Sequence, residues 1–112
     1  MANISVVRGD TYAFKFQRKS NGQVIMTEPD NLYFTVKRNT GVENYIFQKT
    51  LEDMTFDENG WYHFDIRPAD TNNMTYGNYV FDIEVKTTNY TKTICIGKFV
   101  VLEEVTFASN EE

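Results

Sequence analysis

Along most of this chain hydrophobic residues recur at every second position. Ile4 and Val6, then Tyr12, Phe14 and Phe16, then Leu32, Phe34 and Val36 each alternate with residues that can face water. Period-two alternation marks strands with one buried face. The second half repeats it: Tyr62, Phe64 and Ile66 point inward and leave Trp61, His63 and Asp65 outside. Tyr79, Phe81, Ile83 and Val85 point inward and leave Val80, Asp82 and Glu84 outside. On the last apolar run Ile94 and Ile96 oppose Cys95, Gly97 and Phe99. Around Tyr45, Phe47, Lys49 and Leu51, which alternate with Ile46 and Gln48, the pattern leaves the buried side open. No stretch sustains the 3.6-residue period of an amphipathic helix.

Turn-forming residues separate these runs. Asn21-Gly22 is the strongest short hairpin signal in the chain. Arg8-Gly9-Asp10, Asn39-Thr40-Gly41, Asp57-Glu58-Asn59-Gly60 and Thr88-Asn89 mark further bends. Pro68 to Met74 predicts one helical turn, because proline suits a first helical position and Asp70 sits near the positive end. That turn delivers Tyr79 into a strand two residues ahead of the core position Phe81. Tyr79 either bonds back to the backbone, as in the tyrosine corner of immunoglobulin-like sandwiches, or serves simply as a core aromatic. The expected fold is all-β: an immunoglobulin-like antiparallel β-sandwich of about seven strands with one short helical turn. It spans residues 1–106 as one domain, followed by a frayed acidic tail at 107–112.

Composition narrows the picture. At 112 residues the chain can bury about 65% of its unfolded surface without help from a disulfide or metal. Cys95 is its one cysteine, so no intrachain disulfide forms. The start MANISVVRGD lacks the pattern of a secretory signal, and no apolar run approaches the ~20 residues that span a bilayer. A soluble protein made in the cytoplasm, without membrane insertion, is expected. Residues 1–50 carry seven Lys/Arg against four Asp/Glu, a net +3, and residues 51–112 carry four against twelve, a net −8. The overall −5 argues against nucleic-acid binding, while the split suits head-to-tail contact between copies.

Five segments carry a family likeness: VVRGDTYAFKFQRK, LYFTVKRN, IFQKTL, NGWYHFDIRPADTNNMTYGNYVFDIEV and GKFVVLEEVT. In order, from Val6 to Thr106, they resemble the immunoglobulin-like N-terminal domain of phage baseplate upper proteins. Small prophage proteins of Gram-positive bacteria are similar. The resemblance implies a non-enzymatic virion component, assembled in the host cytoplasm, whose sandwich attaches to other tail or baseplate proteins. In that family a C-terminal extension carries the receptor-binding machinery. With the chain running only to Glu112, the expectation shifts to a tail, baseplate or neck accessory subunit, oligomeric in the particle.

Seven tyrosines, nine phenylalanines and one tryptophan are many for one small core. Strand parity places Trp61, Tyr33, Tyr90 and either Tyr12 or Tyr45 on the surface. Trp61, Tyr33, Tyr90, Ile94 and Ile96 are the candidate interface residues, since aromatic and aliphatic patches mark docking surfaces. The terminal segments Ile94 to Leu102 and Ile4 to Val7 are the candidate sheet edges. The alternative is a carbohydrate site in which Trp61, Tyr33 and Tyr90 stack on sugar rings while Asp65, Asn31 and Asn89 bond their hydroxyls. Catalysis, cofactors and metals are not expected. His63 is the one histidine, the Asp82 and Glu84 pair reads as solubilising, and Asp53, Asp57, Glu58 and Asn59 lack EF-hand spacing. Arg8-Gly9-Asp10 reads as a bend before a strand, and the Asn89-Tyr90-Thr91 sequon as unmodified.

Overall fold

The structure, a computed structural model, describes residues 2–103. The predicted domain boundary at 106 and the acidic tail 107–112 therefore lie outside the described residues. Ten strands form: β1 (Ala2–Val7), β2 (Tyr12–Gln17), β3 (Lys19–Ser20), β4 (Gln23–Val24), β5 (Asn31–Lys37), β6 (Phe47–Thr50), β7 (Thr55–Phe56), β8 (Trp61–Ile66), β9 (Gly77–Lys86) and β10 (Thr91–Leu102). Three of the ten, β3, β4 and β7, are two residues long, and the seven larger strands agree with the expected count of about seven. A 3₁₀ turn at Leu51–Asp53 and the helical turn α1 (Pro68–Thr71) interrupt them.

The strands build a five-stranded sheet in the order β1-β10-β9-β5-β6 and a three-stranded sheet in the order β2-β8-β7, with β3-β4 as a separate hairpin. This is the immunoglobulin arrangement: β10, β9 and β5 take the places of G, F and C, β6 extends that sheet, and β2, β8 and β7 take those of B, E and D. Pairing is antiparallel except between β1 and β10, which run parallel from Ala2 opposite Gly97 to Val7 opposite Leu102. The β3-β4 turn has positive φ at Asn21 (53°) and Gly22 (79°), the backbone of a type I′ turn.

Alternation drives the packing. β5, β8 and β9 show strict buried and half-buried alternation, with Leu32, Phe34, Val36, Tyr62, Phe64, Ile66, Tyr79, Phe81, Ile83 and Val85 in the core. The ambiguous β6 resolves with Phe47 inward. Most of the aromatic surplus is internal. Phe34 packs on Phe64 and Phe81 with ring centroids 4.8 and 5.4 Å away, and Tyr62 lies between Phe56 at 4.6 Å and Phe16 at 5.2 Å. Among the described residues the exposed rings are tyrosines, namely Tyr45, Tyr76 and Tyr90, whose hydroxyls tolerate water. Tyr12 is not among them: it packs against the core, and its hydroxyl accepts the Val7 N–H at 3.0 Å.

The tyrosine corner is present. Tyr79, 3% exposed, donates its hydroxyl to the Thr75 carbonyl at 2.8 Å and meets Thr75 Oγ1 at 3.0 Å. The α1 turn is capped where the Arg67 N–H donates to Asp70 Oδ2 at 2.8 Å. The 3₁₀ turn repeats the device, with the Thr50 N–H donating to Asp53 Oδ2 at 2.8 Å. Arg8-Gly9-Asp10 is fastened to this end of the sandwich. Arg8 Nη2 donates to the Tyr76 hydroxyl at 2.8 Å, and the Gly9 N–H donates to Thr71 Oγ1 at 3.0 Å.

Candidate functional site

Parallel pairing of β1 leaves part of its neighbour uncovered. The register begins at Gly97, so Thr91–Ile96 of β10 pairs with β9 on one side and with no described strand on the other. β10 was expected to be an edge along its whole apolar length. Its Gly97–Leu102 half is instead covered by β1, which is itself the edge strand. Within the open half the register shifts between Thr93 and Cys95, a β-bulge that inserts Ile94 as an extra residue.

That bulge separates two isoleucines expected on the same face. Ile96 stands opposite Asp82 on the outer face of the five-stranded sheet, 54% exposed. Ile94, 38% exposed, turns with Cys95 toward a recess of about 700 Å³ between the open edge and the end of β2. Phe16, Ile83 and Val85 contribute apolar surface to this recess, and Tyr90 stands at its rim, 48% exposed.

A buried cation lies in the wall. Arg18, 6% exposed, donates through Nη1 to the Thr27 carbonyl at 3.1 Å and through Nη2 to the Tyr90 hydroxyl at 3.4 Å. Both acceptors are neutral, and no carboxylate among the described residues forms an ion pair with it. A charge taken out of water without a counter-charge is costly. The Tyr62 hydroxyl lies near this guanidinium yet makes no hydrogen bond of good geometry, and burial pushes its pKa up while Arg18 opposes the shift. Lys19 and Lys92, both exposed, add positive charge to the same recess.

The outer face of the five-stranded sheet is different in chemistry. A shallow recess of about 410 Å³ is lined by Tyr33, Tyr45, Gln48, Asp82 and Glu84 with Lys37 and Lys86. Burial, then the Glu84 charge, raises the pKa of Asp82, with Lys37 acting the other way. The Asp82 and Glu84 pair on β9 and Asp65 on β8 thus lie on opposite outer faces of the sandwich.

Trp61 lies on the outer face of the three-stranded sheet, with Lys15 Nζ 4.4 Å from its ring centroid. Trp61 and Tyr33 are therefore on opposite outer surfaces of the sandwich, and Tyr90 is at the side. The sugar platform of Trp61, Tyr33 and Tyr90 with Asp65 is not assembled. The five interface candidates likewise divide among the recess (Tyr90, Ile94), the outer sheet face (Tyr33, Ile96) and the opposite face (Trp61).

A polar recess of about 460 Å³ gathers His63, Asp53, Asp65, Lys49 and Arg67. Its charges are already engaged: Lys49 with Asp70 at 2.7 Å, Arg67 with Asp65 at 3.2 Å, and His63 Nε2 with Asp57 at 2.7 Å. The His63 hydrogen bond, followed by the Trp61 N–H, holds Asp57 below the usual carboxylate range. These pairs fasten the Asp57–Gly60 turn and the α1 turn. Cys95 lines the other recess, so it does not meet His63. Among the described residues no group of three or more His, Cys, Asp or Glu is placed to hold a metal ion, and no helix is long and apolar enough to cross a membrane.

No protein-family model matches the chain, and no curated protein matches it.

Sequence reasoning missed Arg18, Lys92 and the bulge. Gln17-Arg18-Lys19 closes an apolar strand and reads as a solvated end, and burial of its middle residue depends on the β3-β4 hairpin folding back. The Ile25 N–H, donated to the Arg18 carbonyl at 2.8 Å, is the contact that folds it there.

Proposed function

We propose that this protein is a non-enzymatic docking module of a phage or prophage tail, baseplate or neck, acting through protein–protein contacts in the virion. The observation that carries the reading is the half-covered strand. Thr91–Ile96 offers unpaired backbone groups flanked by exposed Tyr90, Ile94 and Ile96, and an open strand edge with apolar side chains is where proteins add a strand or a sheet face. The placement in a phage particle rests on the resemblance of the five sequence segments to the baseplate upper protein domain, a resemblance that implies attachment to tail or baseplate proteins. Tail or baseplate proteins and further copies of the chain are the partners, and the docking groups are backbone amides and aliphatic side chains.

Co-expression with the proteins encoded beside it, followed by size-exclusion light scattering, tests this. A defined complex with a tail or baseplate protein is expected, lost on Ile96→Lys while the melting temperature of the isolated chain is unchanged. A chain that stays monomeric alone and with each of those proteins would sink the reading.

The recess of Tyr33 and Tyr45 beside Gln48, Asp82 and Glu84 supports a second reading, recognition of a cell-surface glycan by stacking and hydroxyl hydrogen bonds. It uses other residues than Trp61 and Asp65. Glycan-array binding that disappears in Tyr33→Ala, without any protein complex, selects it.

A further inference from the structure

We propose that the recess between the end of β2 and the Thr91–Ile96 edge is a strand-acceptor groove, and that residues 104–112 of a second copy fill it. This rests on the docking reading above and names the partner for that edge.

Shape comes first. Six residues of uncovered strand extend about 20 Å, which accommodates an added strand of equal length. One side of such a strand would face Phe16 and Cys95, which the sandwich leaves half-buried here, with the buried Ile83 and Val85 behind them. Charge then selects among occupants. Arg18, Lys19 and Lys92 make the groove positive, and Arg18 is buried without a carboxylate partner. Pairing the same edge of two copies across a dyad would bring these cations together. The bulge at Ile94 and the lysine at 92 also work against indiscriminate edge pairing. An acidic extended segment is what the groove fits.

The chain carries such a segment. Residues 104–112, EVTFASNEE, hold three glutamates and no lysine or arginine, and Val105 and Phe107 alternate with Thr106. Val105 and Phe107 match the apolar floor, and the glutamates match the cations. The donor is another copy, because β10 reaches its far end at Leu102, where Val7 of β1 pairs with it. Returning from there to Ile94 means about 27 Å along an edge that β1 occupies. Donor and acceptor surfaces differ, so the contact is head-to-tail and generates rings or filaments rather than a closed dimer.

Charge reversal tests this in the full chain. Lys19→Glu/Lys92→Glu reverses the groove, and Glu104→Lys/Glu111→Lys/Glu112→Lys reverses the segment. Sedimentation velocity should show the parent chain self-associating, more weakly as salt rises from about 0.05 M to about 0.5 M. Each variant alone should associate about tenfold more weakly with its melting temperature unchanged. An equimolar mixture of the two should associate again, since reversed groove then meets reversed segment and parental groove meets parental segment. A parent chain monomeric at about 1 mM, or variants that associate like the parent, would overturn the proposal. So would a mixture that stays monomeric. If a tail or baseplate protein still binds through Ile96 while segment reversal changes nothing, this inference fails and the docking reading stands.

Discussion

One hydroxyl ties the crossover between the sheets. Tyr79 reaches back four residues to the Thr75 carbonyl, and its ring is already packed, so Tyr79→Phe removes the bond without opening a cavity. A buried hydrogen bond contributes about 1 kcal/mol net, so the variant should melt about 4–8 °C lower by calorimetry. An unchanged melting temperature would make the residue a plain core aromatic. Gly60 meets two constraints at once: its φ is +87°, and an added Cβ would collide with Val24. Gly60→Ala should therefore destabilise by more than about 1 kcal/mol, read as a lower urea midpoint at constant slope. Gly22 has φ +79° but open space around it, so its alanine variant should lose less. Tyr79 was legible from its spacing to Phe81 and the proline-led turn before it. Arg18 was not, because its burial comes from a hairpin folding over it.

At the scale of the element, β9 is the strand whose partners on both sides are long. It pairs with β5 and β10, and its outward Asp82 is crowded by Glu84 on the same face. Burial and that neighbour raise the folded-state pKa of Asp82 above its unfolded value. Stability from this group is therefore fully present below the unfolded value, near pH 4, and is lost as pH rises through the folded one. Asp82→Asn should be more stable than the parent at pH 7, and the gain should vanish below about pH 4. Urea unfolding at both pH values checks this, and an equal gain at each would remove the electrostatic explanation. Inward and outward faces of β5, β8 and β9 were legible because alternation is unbroken in all three. β10 was legible only in part. A single inserted residue moves Ile94 off the face of Ile96, and a bulge leaves no period in the sequence to announce it.

For the whole molecule the aromatic core is where the two sheets meet. Phe34 is fully buried and touches rings from both sheets, Phe64 in one and Phe47, Phe81 and Phe99 in its own. Phe34→Ala should cost about 3–5 kcal/mol, a large share of the total for a domain of this size. Chemical denaturation should find it partly unfolded at 37 °C, while Ile96→Lys on the outer face leaves the midpoint in place. The contrast separates residues that hold the sandwich from residues that face a partner.

Alternation, turn residues and one proline-led turn were enough to determine an all-β chain and the inward faces of β5, β8 and β9, and to place Tyr79 where a corner bond can form, because each is a local consequence of backbone period and φ preference. Which strands border water was decided only in three dimensions. The parallel start of β1 at Gly97 covers half of β10 and exposes the rest, the hairpin buries Arg18, and the two sheets carry Trp61 and Tyr33 to opposite surfaces. Those outcomes depend on contacts between residues far apart in the chain, and a one-dimensional pattern records which side of a strand is apolar but not what lies across from it.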